Sequence, residues 1–125
     1  MCLDKLLILK RSSKVTTMCG MWSAISGTLE KNEIPLERAK MEILEETGLT
    51  KNQIKLSKEG TTMNIFDNKY KCYWLIYPFL FYTNIKKIKL NWENSSYLWI
   101  TPNKLKFFRT VPKLHAVFLN LTTKL

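Results

Sequence analysis

Apolar and polar positions along the chain sort into short strands, one strongly patterned helix and two proline-led turns near the end. Leu6 to Leu9 is an apolar run that stops at Lys10-Arg11 and predicts a short strand. Ser12 to Gly20 is polar and reads as a loop, and Trp22 to Ser26 predicts a brief strand ending at Gly27. Pro35 suits the first turn of a helix, because its missing N–H falls where helical donors have no partner. In the helix predicted from there to about Thr47, Leu36, Ala39, Ile43 and Thr47 fall within about 80° of one another and form a core face. Gly48 is the expected left-handed stop. Ile54 to Leu56 and Met63 to Phe66 predict strands, and Asp67-Asn68-Lys69 is a turn signal. The apolar run Cys72 to Tyr82 predicts one long buried strand around residues 70–82. Ile85 to Leu90 mixes lysines with aliphatics as a half-exposed strand would, and Tyr97 to Ile100 predicts another strand. Thr101-Pro102 and Thr110-Val111-Pro112 read as starts of short helices. Elements in this order predict an α/β class fold in the broad sense (α+β), arranged as mixed α/β/α layers in one domain, 1–125.

Composition agrees: 125 residues suffice for a single core, and 46% hydrophobic residues argue against disorder. The run to Tyr82 is too short to span a bilayer and is broken by Pro78, so no membrane partner is expected. The N-terminus enters Asp4-Lys5 and a strand without a signal peptide. Cys2, Cys19 and Cys72 have no metal-binding spacing, and their odd number fits reduced thiols in a cytoplasmic protein. Sequons at Asn94 and Asn120 carry no weight in that compartment.

The net charge of +10 hides an uneven distribution. Residues 30–46 hold six of the ten acids against three bases, a local net of −3, and the remainder carries +13. A basic field attracts polyanions such as nucleotides or nucleic acid. Seventeen of the twenty bases are scattered lysines, so compositional bias is favoured over dedicated nucleic-acid binding.

Within the acidic island, Glu42, Glu45 and Glu46 stand at i, i+3, i+4 and share a helical side over about 100°, outside the core face. Like charges so placed repel, and a divalent cation, which wants several converging carboxylate oxygens, is the simplest reason to tolerate them. The alternative is an ordinary solvated face. The concentration of acids in a basic chain, and glycines at both ends of the segment, weigh against it.

Gly27 to Leu49 resembles the Nudix box, G-x5-E-x7-R-E-U-x-E-E-x-G-U, where U is aliphatic. Gly27, Glu33, Glu42, Ile43, Glu45, Glu46, Gly48 and Leu49 match, and Met41 stands in place of the arginine. Flanking segments also look like the family's strands: Asp4 to Arg11, Trp22 to Gly27, Pro78 to Phe81, and Trp99-Ile100. The resemblance implies a Nudix-like α/β/α sandwich with a mixed β-sheet and a hydrolase that cleaves the diphosphate bond of a nucleoside diphosphate derivative or nucleoside triphosphate. It implies Mg²⁺ or Mn²⁺ as cofactor. Glu45 and Glu46 would be leading ligands, and Glu42 a third ligand or the general base. The Ser26 carbonyl and Glu93 would complete the set. Arg11 and Lys10 would bind phosphate, since guanidinium forks match its oxygens; a solvated strand end is the alternative. Trp22, Phe107 and Phe108 are candidates to stack on a base, or else core aromatics, and Trp22 is assigned to the substrate. His115 is read as structural. Gly27, Glu33, Arg38 and Gly48 would support the site. Arg38, one turn before Glu42, is expected to substitute in part for the missing arginine.

Family members usually carry a further strand ahead of the one at Leu6. Here it is missing or shortened, the start lies upstream, or a second subunit of a homodimer covers the exposed edge. A non-catalytic nucleotide- or RNA-binding module on the same fold is the rival reading. Met41 and the basic background favour that reading, and the intact glutamate triplet disfavours it.

Overall fold

Alternation along strand β1 (Leu6–Arg11) sorts its side chains between two cores. On one face Leu6 and Ile8 join Ile100, Leu105 and Leu114; on the other, Leu7 joins Ile43, Leu49 and Ile88. Strand β7 (Asn94–Ile100) repeats the division, with Ile100 in the first core and Tyr97 and Trp99 in the second. Helix α1 (Pro35–Thr47) supplies Ile43 to one side and helix α2 (Leu114–Thr122) supplies Leu114 to the other. The sheet therefore lies between helices, an α/β/α sandwich, in the computed structural model describing residues 1–2 and 4–122.

β1 runs antiparallel to both of its neighbours, β7 and β2 (Trp22–Ser23). Its register with β7 passes from Leu6 opposite Ile100 to Lys10 opposite Ser96, then slips so that Arg11 faces Asn94. The unpaired residue, Ser95, lies on β7; such a bulge bends the strand that carries it, which is how Asn94 comes opposite Arg11. Strand β3 (Lys55–Glu59) pairs with β6 (Phe79–Tyr82), and β4 (Met63–Asp67) with β5 (Cys72–Ile76), again antiparallel. Among the described residues the parallel component of the expected mixed sheet is one bridge between Trp22 and Thr110. Ahead of β1, the Met1 amino group donates to Phe81 O and Met1 O accepts from Thr83 N at 2.9 Å, so the leading residue pairs along β6.

Two expectations fail. The run Cys72 to Tyr82 is two strands, broken at Tyr77-Pro78, where proline lacks an N–H and the chain changes partners. Most of β5 is exposed, not buried. Residues 85–90 form no strand: their backbone is satisfied by Thr47 O, the Tyr97 hydroxyl and the Trp99 indole, while Ile88 anchors the segment in the core.

Candidate active site

Helix α1 starts at Pro35 after the extended Ile34 and stops at Gly48, whose φ of 76° is left-handed and whose N–H donates to Leu44 O at 2.9 Å. Between these ends its buried positions are Glu42, Ile43, Glu46 and Thr47. Two of the three carboxylates of the Glu42, Glu45, Glu46 triplet thus turn inward beside the core face, where a solvated arc was the alternative. Glu46 is 4% exposed and Glu42 6%, values rare for carboxylates that lack partners. Glu45 and Met41 are exposed.

The Glu42 carboxylate is gripped by Arg38, whose Nη2 lies 2.7 Å from Oε1. The same guanidinium reaches Glu33 Oε2 at 3.5 Å through Nη1. Glu33 is fixed in turn, because its Oε1 accepts from Glu30 N at 2.6 Å. Gly27 lies directly over Glu42: a Cβ built there would come 2.2 Å from the Glu42 carboxyl carbon. Glycine is required at this position by close approach, not by its φ.

Glu46 accepts from Asn94 Nδ2 at 3.2 Å through Oε1, and its Oε2 is buried without a partner. Glu93 sits nearby, held by Asn91 on one side and by Ser12 N, which donates to Glu93 O at 2.8 Å, on the other. Burial and the Glu93 charge push Glu46 up from 4.5 to about 8, although Asn94 and the Ser26 amide oppose the shift. Burial likewise raises Glu42, against the pull of Arg38, with Glu45 and Glu93 adding repulsion. The cluster is therefore short of positive charge.

A cavity of about 530 Å³ opens over this cluster. Ser26, Gly27, Arg38, Glu42, Glu45 and Glu93 line it, so six expected residues meet in one place. Arg11 joins them, its guanidinium steadied by Thr17 O at 3.1 Å. Lys10 does not line it, since it alternates onto the face of Leu6 and Ile8. Trp22 does not either: it packs edge-on against Phe108, ring centres 5.4 Å apart, partly buried against the α2-side core. Phe107 and His115 are exposed and outside the cavity lining.

Three further residues belong to the site without a sequence motif that marks them. Asn94 enters the sequence reading only as a sequon, and its adjacency to Glu93 is the one signal for it there. Trp74 lines the cavity, although the apolar run around it read as buried. Thr28 also lines it, and nothing in the sequence distinguishes it.

Among the described residues no three acidic, histidine or cysteine side chains stand in metal-ligating geometry; Arg38 engages Glu42 and Asn94 engages Glu46. The donor set nevertheless suits a hard divalent cation: carboxylates raised by burial and then by mutual repulsion, and a buried carboxylate oxygen without a partner. No helix among the described residues is long and apolar enough to cross a membrane.

The family model described as NUDIX domain matches residues 2–121. Among solved structures, an Ap4A hydrolase of C. elegans in a binary complex is similar, with a TM-score of 0.73 at 16% identity over 93% of this chain and 82% of that one. A MutT protein from Methanosarcina mazei Go1 gives a TM-score of 0.69 at 25% identity, covering 91% of this chain and 80% of the other. The NUDIX domain of Shewanella oneidensis NrtR, complexed with ADP ribose, gives 0.70 at 13% identity over 93% and 74%. No curated protein sequence matches the chain.

Proposed function

The chain belongs to the Nudix domain family, and we propose that it hydrolyses the diphosphate bond of a nucleotide derivative with Mg²⁺ or Mn²⁺ as cofactor. The observation that carries this reading is the buried, partnerless Oε2 of Glu46 inside a cluster of mutually repelling carboxylates. A protein with no use for a cation gains nothing from such a group, since a buried carboxylate oxygen left without a partner is costly.

Glu45, Glu46, Glu93 and the Ser26 carbonyl would hold the metal. Bound there, it would neutralise phosphoryl oxygens and lower the pKa of a water. Glu42 has one oxygen fixed by Arg38, which leaves Oε2 to take the proton of the attacking water. Arg11 faces the cavity with a guanidinium suited to a phosphate. Arg38 orients Glu42 and Glu33 in the absence of an arginine at position 41.

The test is a panel of nucleoside triphosphates, dinucleoside polyphosphates and nucleotide sugars with Mg²⁺ or Mn²⁺, with wild type and Glu45→Gln/Glu46→Gln scored by chromatography for the mononucleotide products. Metal-dependent turnover by wild type that the double variant loses supports the proposal. No turnover across the panel, together with salt-sensitive RNA binding, would favour the binding module instead.

A further inference from the structure

Trp74 is the one aromatic ring among the residues lining the acidic cavity. It belongs to neither core, unlike Trp22 and Trp99, and the residue is 48% exposed. Leaving half an indole in water forgoes much of the burial that makes tryptophan useful in a fold. Its orientation is nonetheless fixed. The indole Nε1 donates to Asp67 Oδ2 at 3.0 Å, and the other oxygen of Asp67 accepts from Lys69 N at 2.8 Å and Tyr70 N at 3.2 Å. One carboxylate therefore closes the turn between β4 and β5 and ties the indole to it. Among the described residues the β4–β5 pair has no ladder to the other two sheets, and from it Trp74 reaches the cavity lining.

An exposed aromatic with a fixed orientation, on the wall of a cavity otherwise polar and charged, is a stacking platform. We infer that Trp74 is the specificity-determining residue of the site and stacks on the nucleobase of the substrate, so that the site selects diphosphates carrying a planar aromatic group. Asp67 is its positioning residue. The inference rests on the proposed nucleotide chemistry of the same site and adds the group that recognises the base.

The experiment titrates wild type, Trp74→Ala and Trp74→Phe with ADP and with inorganic pyrophosphate by calorimetry, and measures KM and kcat on any nucleotide the wild type hydrolyses. Trp74→Ala should weaken ADP on the order of tenfold, the expected scale for one lost base–aromatic stack. Pyrophosphate affinity and kcat should stay within about twofold, and Trp74→Phe should recover most of the loss. Unchanged ADP affinity, or an equal loss for both ligands, overturns the inference, the second outcome marking a merely structural tryptophan. Wild type that binds neither ligand also overturns it. Nucleotide hydrolysis with a KM indifferent to Trp74→Ala leaves the hydrolase standing and removes the stack. ADP bound through Trp74 without turnover of any nucleotide leaves the stack standing and removes the hydrolase.

Discussion

Gly27 and Glu42 occupy nearly the same space: a Cβ on Gly27 would lie 2.2 Å from both the carboxyl carbon and Oε1 of Glu42. Glu42 has little room to retreat, being 6% exposed and paired with Arg38 at 2.7 Å. Gly27→Ala should cost about 1–3 kcal/mol of stability, as overpacking does. It should also lower kcat on the order of tenfold or more, because Glu42 is displaced from the cavity wall. Urea denaturation and steady-state kinetics on the same preparation check both. A variant with wild-type kcat would show that Glu42 need not hold its observed position.

Arg38 bridges Glu33 and Glu42 while Met41 faces solvent, which bears on the missing box arginine. Met41→Arg should change turnover by less than about threefold, since both carboxylates already have their guanidinium. Arg38→Ala should lower turnover on the order of a hundredfold and cost a few kcal/mol, because it leaves Glu42 buried without its ion pair. Adding Met41→Arg to Arg38→Ala should restore part of the activity. A tenfold gain from Met41→Arg alone would mean that Arg38 does not do the work.

The legible parts of the fold were those where one periodicity acts alone. Pro35 and Gly48 bound the helix as expected, and the apolar positions of β1 and β7 alternate between two cores. The failures share a cause: tertiary partners overrode local pattern. Cys72 to Tyr82 is apolar throughout, so nothing in it marks the change of partner strand at Pro78 or the exposure of β5. Residues 85–90 have strand-like composition, yet their hydrogen bonds go to a helix end and to side chains. At the site, motif spacing located Glu42, Glu45 and Glu46 on one helix. Asn94 and Trp74 reach it from distant segments through a bulge and a hairpin, neither of which has a fixed spacing from the box.

Gly48 differs from Gly27 in why it must be glycine. Its φ of 76° is the left-handed cap, and a Cβ there would meet Lys89 Cβ at 3.3 Å, a contact a small shift relieves. Gly48→Ala should cost about 1–2 kcal/mol of stability through the backbone alone. Its effect on kcat should be far smaller than that of Gly27→Ala, as measured in the same two assays. A loss of turnover as deep as that of Gly27→Ala would show instead that the helix end sets the carboxylate positions.

Burial and Glu93 raise Glu46 from 4.5 to about 8 in the folded protein without metal. Below the unfolded value the carboxyl is protonated in both states and its favourable contribution is complete. As pH climbs from 4.5 toward 8, the folded chain keeps a proton that the unfolded chain releases, so stability falls, by an amount on the order of a few kcal/mol. Above 8 both states are ionised and the loss levels off. Chelator-treated wild type should therefore show a declining urea midpoint across this range, while Glu46→Gln, neutral throughout, should decline much less and be the more stable protein at pH 8. Mg²⁺ or Mn²⁺ should stabilise wild type most at the alkaline end, where the ionised carboxylate gains a cation, and should stabilise Glu46→Gln less. Parallel curves for the two proteins, with or without metal, would show that Glu46 is ordinarily ionised and sits in no charge-starved cluster.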